Sequence, residues 1–237
     1  MTRHALLSNA THKDLRVITE RSARYGDDVM AVTTFPAEFR NLQAHYPIVF
    51  ARTKEGVFNP LALLGFREKQ NLFLKKDGGW DATYVPLIIE RAPFLIGPPT
   101  AGGPNIHIDL DSPRLSQTEG ELLFKEHGGT SEFLDRIGSA LNTIHQGSVA
   151  SQPFIAAINE YGLLESFVLD IRFKDGAEHR FAGFYTVHEE KLAKLDAAAL
   201  GKLHEKGYLQ AVFMIIASLS NFRDLIERAS KLDAAER

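Results

Sequence analysis

The sequence predicts an α+β protein: a strand-rich N-terminal half with a mixed or antiparallel sheet, and helices with one β-hairpin in the C-terminal half. Short apolar runs separated by glycine, proline and asparagine dominate residues 29–110. From residue 130 onward, apolar residues recur mainly at helical spacing. The 237 residues suit a single domain over 1–237, with possible lobes at 29–125 (strand-rich) and 126–237 (helix-rich).

The first half is predicted to consist of short strands joined by turns. Several of these runs are uniformly apolar, which is typical of strands covered on both faces. The predicted strands are 29–32, 48–51, 61–66, 71–74, 94–96 and 105–110. Between the first two of them, Pro36 favours a helix start and Pro47 requires that helix to end by Tyr46.

The second half begins with a predicted amphipathic helix. Thr130 or Ser131 can cap its N-terminus, because a hydroxyl accepts a hydrogen bond from a free backbone N–H of the first turn. Gly147 weakens the helical pattern and Pro153 restarts it, so we expect two helices in this region.

The remaining C-terminal elements are a hairpin and further helices. Two alternating segments flank Lys174-Asp175-Gly176, which is a strong hairpin signal. Residues 208–232 are expected to form one long helix with Val212, Phe213 and Ile216 on its buried side.

Composition limits the possible functions. The absence of cysteine excludes disulfides, thiolate metal sites and a cysteine nucleophile. A net charge of −3 gives no broad attraction to nucleic acid, so no nucleic-acid partner is expected. The most apolar stretch, 208–219, is shorter than the roughly 20 residues of a membrane span, so we expect no membrane insertion and a cytoplasmic location.

One short pattern could bind a metal. His107 and Asp109 lie two apart on a predicted strand, so both side chains point the same way and can reach one ion. Non-haem iron oxygenases use such a pair with a distant histidine, and that ligand could be His179, His145 or His188. This hypothesis implies Fe(II) with 2-oxoglutarate. The alternative interpretation is the polar outer face of an edge strand.

A second candidate site is a ligand pocket. Trp80 and Tyr84 follow a glycine turn, and Arg91 comes soon after them. An arginine beside aromatic rings suits a carboxylate or an aromatic ligand. We add His45 as a candidate ligand-binding residue, although an imidazole at a helix end can equally bond free carbonyls. In the alternative interpretation, Trp80 fills the core.

Several motifs of the sequence resemble the bacterial SapC family. The family's name comes from a surface-array protein cluster, and an unrelated peptide-transport permease shares it. The resemblance covers roughly residues 30–225 and implies no catalytic residues. The similar motifs are His45-Tyr46-Pro47-Ile48-Val49-Phe50, Trp80-Asp81, Tyr84-Val85-Pro86, Pro93-Phe94, Asp111-Ser112-Pro113, Gly162-Leu163-Leu164-Glu165 and Gly183-Phe184-Tyr185.

Three hypotheses follow from the sequence. The first is a soluble SapC-like accessory or binding protein without a cofactor, which binds a small molecule or a protein partner. Whether it is an enzyme stays open, and binding alone is favoured. The second is an iron oxygenase that uses His107 and Asp109. The third is an S-layer-associated structural protein. The oligomeric state stays open.

Overall fold

A computed structural model describes residues 3–97, 105–172 and 178–235. The expected hairpin turn at 174–176 lies outside the described residues. The strands are His4–Leu6 (β1), Arg16–Val17 (β2), Ala31–Thr33 (β3), Ile48–Arg52 (β4), Phe58–Leu63 (β5), Phe94–Ile96 (β6), Ile106–Asp109 (β7), Leu115–Ser116 (β8), Glu121–Leu122 (β9), Leu164–Arg172 (β10) and Glu178–Val187 (β11). The α-helices are Asn9–His12 (α1), Phe39–Leu42 (α2), Leu87–Glu90 (α3), Glu132–Glu160 (α4), Glu189–Ala193 (α5), Ala197–Glu205 (α6), Tyr208–Ser218 (α7) and Phe222–Ala235 (α8).

The predicted α+β class is confirmed, and the sheets take the antiparallel form. Within the described residues, the strands form three sheets whose pairs are all antiparallel. The chain divides into two compact units, each made of two segments. The first unit is Met1–Asp28 with Leu74–Gln146, and the second is Val29–Phe73 with Gly147–Arg237. The expectation of a single domain over residues 1–237 stays a prediction.

The first unit contains two three-stranded sheets and the first half of α4. Their orders are β1-β7-β6 and β8-β2-β9. Ser131 caps α4 by accepting a hydrogen bond from the Leu134 N–H at 3.1 Å. Helical spacing then directs one face of α4 into an apolar core shared with the strands. The buried core residues are Val17, Phe94, Ile108, Leu123, Phe124, Phe133, Leu134, Ile137 and Leu141.

A buried ion pair holds the first unit together at a second place. Arg114 is 1% exposed, and its guanidinium donates to Asp27 Oδ2 at 2.5 Å and to the carbonyls of Ile18 and Glu20. Arg21 lies 3.9 Å from the other Asp27 oxygen. Burial, and next the neighbouring Arg114 charge, lower the pKa of Arg21 from its ordinary value. These contacts connect the segment before residue 28 to the loop between β7 and β8.

The second unit is built on the five-stranded sheet β10-β11-β4-β5-β3. The predicted hairpin is confirmed as β10 and β11, whose register runs from Leu164 opposite Val187 to Arg172 opposite Glu178. Helix α7 packs near β4, and Ser218 at its end is fully buried. The Ser218 hydroxyl accepts a hydrogen bond from the Ile48 N–H at 2.9 Å. A strand N–H at the start of β4 is thereby satisfied by a helix side chain.

The predicted break in the helix at Gly147 and Pro153 is wrong, because α4 runs without interruption through both residues. A Cβ atom at Gly147 would lie 2.1 Å from Cδ2 of Phe35, so the glycine is required by close packing. Pro153 removes an N–H that would bond the Val149 carbonyl. Val149 is 65% exposed, so water can satisfy that carbonyl.

The expected long helix at 208–232 contains a short 3-10 segment, Leu219–Asn221, between α7 and α8. Its buried side also differs from the prediction, since Phe213 is 55% exposed while Ala211, Val212 and Ile215 are buried. By length and composition alone, the run Tyr208–Leu232 could cross a membrane, a test that core helices of soluble proteins also pass.

The strand predicted at 71–74 does not form. The Asn71 side chain accepts a hydrogen bond from the Phe73 N–H at 3.0 Å, and such a local turn competes with extended pairing. Leu74 instead makes an isolated antiparallel bridge with Trp80.

Candidate functional site

The aromatic residues proposed as a ligand pocket lie in the first unit. Trp80 is partly buried and follows a turn in which the Lys75 N–H donates to the Gly79 carbonyl at 3.2 Å. Tyr84 is also partly buried and precedes the short helix α3. The two cavities described below are lined by other residues. A pocket at Trp80 and Tyr84 therefore stays a prediction.

Arg91 has a structural contact of its own. Its Nη1 donates to the carbonyl of Phe94 at 2.6 Å, across the turn that connects α3 with β6. Burial lowers the pKa of the Arg91 guanidinium from its ordinary value. This hydrogen bond fixes the turn, and it occupies one of the five N–H donors that a carboxylate ligand would use.

His45 belongs to the second unit. It follows α2, and its backbone N–H donates to the Leu42 carbonyl at 2.9 Å. Its imidazole makes an edge contact with Tyr46, with the ring centroids 5.8 Å apart. A role of His45 in ligand binding stays a prediction.

His107 and Asp109 lie together on one face of β7, opposite the core face of Ile106 and Ile108. The alternative of an edge strand is wrong, because β7 is the central strand between β1 and β6. The Asp109 carboxylate accepts the Asp111 N–H at 3.0 Å.

Among the described residues, the surroundings of this pair do not add a third metal ligand. A Cβ atom at Gly97 would lie 2.2 Å from Cδ2 of His107, so the imidazole packs against the Gly97 backbone. Among the residues that the structure describes, no group of three or more histidine, aspartate or glutamate side chains could hold a metal ion. The side chain of His179 is outside the described part of the chain.

A cavity of about 130 Å³ lies in the first unit, between α4 and the β6–β7 pair. It is lined by Ile96, Asn105, Ile106, Gly138, Leu141, Asn142 and His145. Ile96 and Ile106 are directly opposed in the β6–β7 register, so their side chains share one face. The lining residues on α4 lie three, four and seven positions after Gly138, so they also share one face of the helix. The cavity thus continues the hydrophobic core toward one end of the sheet.

The cavity exists where α4 presents a glycine to the sheet. A Cβ atom at Gly138 would be 3.8 Å from Cδ1 of Ile106, an ordinary contact distance. Alanine or a larger apolar residue could therefore occupy this position without a clash at its Cβ. Glycine inside a helix costs about 0.5–1 kcal/mol relative to alanine, and unfilled apolar space costs more. Gly138 therefore lowers the stability of the fold in two ways, through its low helix propensity and through the unfilled space beside it.

Three of the lining residues are polar: Asn105 lies directly before β7, and Asn142 and His145 lie on α4. Asn142 and His145 are exposed, and they follow Gly138 and Leu141 along the helix. The Asn142 Oδ1 accepts from the Gln146 Nε2 at 3.4 Å. The cavity therefore combines a mainly apolar lining with a few polar residues, a composition that is typical of small-molecule sites.

A second, more polar cavity of about 240 Å³ lies beside α1. It is lined by Ala10, Thr11, His12, Lys13, Asp14, Leu15, Leu110 and Gln117. The His12 Nδ1 accepts from the Ser8 N–H at 3.1 Å, so the ring closes its own short helix. That hydrogen bond explains His12 as a structural residue, and we regard the first cavity as the better candidate.

Sequence reasoning missed Gly138 and Asn142, and it considered His145 only as a metal ligand. A usable signal was present, because Gly138 follows the buried Ile137 within a strong helical stripe. A glycine in such a stripe marks either a close contact or missing volume. Only the packing against Ile106 distinguishes these two cases.

A family model described as SapC matches residues 7–225 of the chain. This range includes every residue that lines the two cavities. No curated protein and no solved structure matches the chain significantly.

Proposed function

The chain belongs to the SapC family, and we propose that it is an accessory protein that binds a small molecule in the cavity between α4 and the β6–β7 pair. The observation that carries this proposal is the unfilled apolar space beside Gly138. A bound ligand would fill this space and make the apolar contacts that a larger side chain at position 138 would otherwise make. An apolar cavity of about 150 Å³ in another protein binds benzene, so a cavity of this size suits a single ring or a short chain.

The cavity also has the features that favour binding over simple under-packing. It is partly open, so a ligand can enter without unfolding the core. Two of its three polar lining residues, Asn142 and His145, lie on exposed helix positions, where they would meet the end of a ligand that projects toward solvent. No catalytic constellation accompanies these groups in the described residues, and binding is therefore the activity that we propose.

The test is a titration with benzyl alcohol, which has one ring and one hydroxyl. The chemical shifts of the protein's backbone amides, measured by NMR, report binding. We expect saturable shifts in the wild type, weaker binding in Gly138→Ala and no binding in Gly138→Leu. Gly201→Leu is the matched control, because Gly201 lies inside α6 with nothing within 4 Å of an added Cβ. Equal binding by Gly138→Leu and the wild type, or no binding by the wild type, would reject the proposal.

We keep the cytoplasm as the proposed location, on the basis of the sequence. Fractionation of the native host, with immunodetection of the protein, tests it. Recovery of the protein in the soluble intracellular fraction is the expected result. Recovery at the cell surface would instead favour the S-layer-associated alternative.

A further inference from the structure

The five-stranded sheet of the second unit has one long edge without a neighbouring strand. Among the described residues, β10 pairs with β11 alone, so the other edge of its nine residues is not covered by a strand. The other edge strands of the described sheets, β1, β3, β6, β8 and β9, have only two or three residues. Shortness protects an edge strand from pairing with another chain, and β10 lacks this protection.

β10 also lacks two further features that protect sheet edges. Its register with β11 shifts between Phe167 and Leu169, where one residue lies between them on β10 and two residues lie between their partners on β11. The bulge therefore belongs to β11, and β10 has no extra residue of its own. β10 contains neither proline nor lysine, which edge strands often carry.

The side chains of β10 alternate between a packed face and a solvent face. Phe167 and Leu169 are partly buried. Ser166, Val168 and Asp170 are exposed, and Val168 is 47% exposed. The middle of this uncovered edge therefore presents a β-branched apolar side chain to solvent, where an added strand would pack against it.

The residues of β10 have the same chemical order in both directions from Val168. The order is polar, apolar, valine, apolar, polar, in Ser166-Phe167-Val168-Leu169-Asp170. In an antiparallel pair of two copies, a two-fold axis at Val168 places residues at equal distances from it opposite each other and on the same face. Phe167 then lies opposite Leu169 of the second copy, and Ser166 lies opposite Asp170 of the second copy. Each of these favourable pairs occurs twice.

We propose that two copies of the chain associate through β10, with the two strands antiparallel about a two-fold axis at Val168, so that their five-stranded sheets become one continuous sheet. Main-chain hydrogen bonds along the edge provide the affinity, and the matched side chains select a second copy. The two carboxylates of the strand fit this register, because Glu165 lies opposite Ile171 of the second copy and Asp170 lies opposite Ser166. This interface is independent of the proposed small-molecule site, which lies in the first unit.

Sedimentation velocity of the full chain over a range of protein concentrations tests the association. We expect a concentration-dependent dimer in the wild type. Val168→Lys should give a monomer, because two ammonium groups would meet at the axis. Val149→Lys is the matched control, since Val149 is 65% exposed on α4 and the same substitution there should leave the dimer unchanged. Circular dichroism checks that both variants are folded.

A second pair of variants tests the register at the exposed Ser166. Ser166→Lys places an ammonium group opposite Asp170 of the second copy and should lower the dimer dissociation constant several-fold. Ser166→Asp places a carboxylate opposite that of Asp170 and should raise the constant several-fold. A monomeric wild type, or a dimer that Val168→Lys leaves intact, would overturn the proposal. A dimer whose affinity is unchanged in both Ser166 variants, or changes in the same direction in both, would overturn the register about Val168.

Discussion

Glycines inside helices differ in what an added methyl group would contact. At Gly201 in α6 there is open space, at Gly138 in α4 an ordinary contact, and at Gly147 the ring of Phe35 at 2.1 Å. Helix propensity favours alanine at all three positions by about 0.5–1 kcal/mol. The surrounding packing therefore decides the sign of each glycine-to-alanine substitution.

The first prediction concerns Gly147 and Gly201. Gly147→Ala should lower the free energy of unfolding by about 1–3 kcal/mol, because the buried Phe35 ring must move. Gly201→Ala should raise it by about 0.5–1 kcal/mol. Urea denaturation measures both changes. A stabilising Gly147→Ala would show that the contact with Phe35 relaxes easily.

A second prediction concerns the buried pair of Arg114 and Asp27. Asp27→Asn should cost about 3–5 kcal/mol, since it leaves a buried guanidinium without its counter-charge. The double variant Asp27→Leu with Arg114→Met should recover much of that loss, because neither charge then remains buried. Denaturant titration of both variants measures this. As a matched control, Asp111→Asn removes a carboxylate that pairs with a largely exposed arginine, and a much smaller loss is expected.

A third prediction concerns the pKa of Asp111. The Arg3 backbone N–H, and next the Arg3 side chain, hold the pKa of this carboxyl below its ordinary value. These interactions stabilise the fold above the unfolded-state pKa, and the contribution is lost as the pH falls through the folded-state pKa. Arg3→Ala should raise the pKa partway, because the backbone N–H remains. Carboxyl ¹³C NMR measures the titration, and Arg16→Ala should leave it unchanged.

At the scale of elements, Ser218 connects α7 to β4. Its hydroxyl accepts from the Ile48 N–H and donates to the Ile215 carbonyl at 2.6 Å, and the residue is fully buried. Ser218→Ala leaves a buried strand N–H without a partner, so we expect a loss of about 1–3 kcal/mol in the free energy of unfolding. Ser220→Ala removes an exposed hydroxyl with a similar helix bond and should change stability little. Equal effects would mean that the contact with Ile48 contributes nothing.

The sequence predicted elements well where local chemistry decides them. The hairpin β10–β11 follows from alternation, and Ser131 caps α4 through the Leu134 N–H at 3.1 Å, as its position suggested. Prediction failed where packing overrides local preference. Local preference predicted a break at Gly147, but α4 is continuous and packs this glycine against Phe35. The polar Ser218 lies on the buried face of α7, where it accepts from the Ile48 N–H. Neither contact is visible in the sequence.

At the scale of the whole molecule, the sequence was sufficient for the fold class and the family, and it was insufficient for the site. Motifs such as Trp80-Asp81 directed attention to aromatic and charged residues. The cavity depends instead on a missing side chain, at Gly138, and on its pairing with Ile106 across the core. An unfilled cavity has no sequence motif, because it is formed by two elements that pack together. Such a site can be recognised only from the structure.

The most direct measurement is a set of nuclear Overhauser effects between bound benzyl alcohol and methyl-labelled protein. The proposed site requires contacts from the aromatic protons to the methyl groups of Ile96, Ile106 and Leu141. We expect contacts at these three residues in the wild type, and we expect them to be lost in Gly138→Leu. Contacts that arise instead at the ring protons of Trp80 and Tyr84, with none at the three methyl-bearing residues, would contradict the cavity and return the pocket predicted from the sequence to first place.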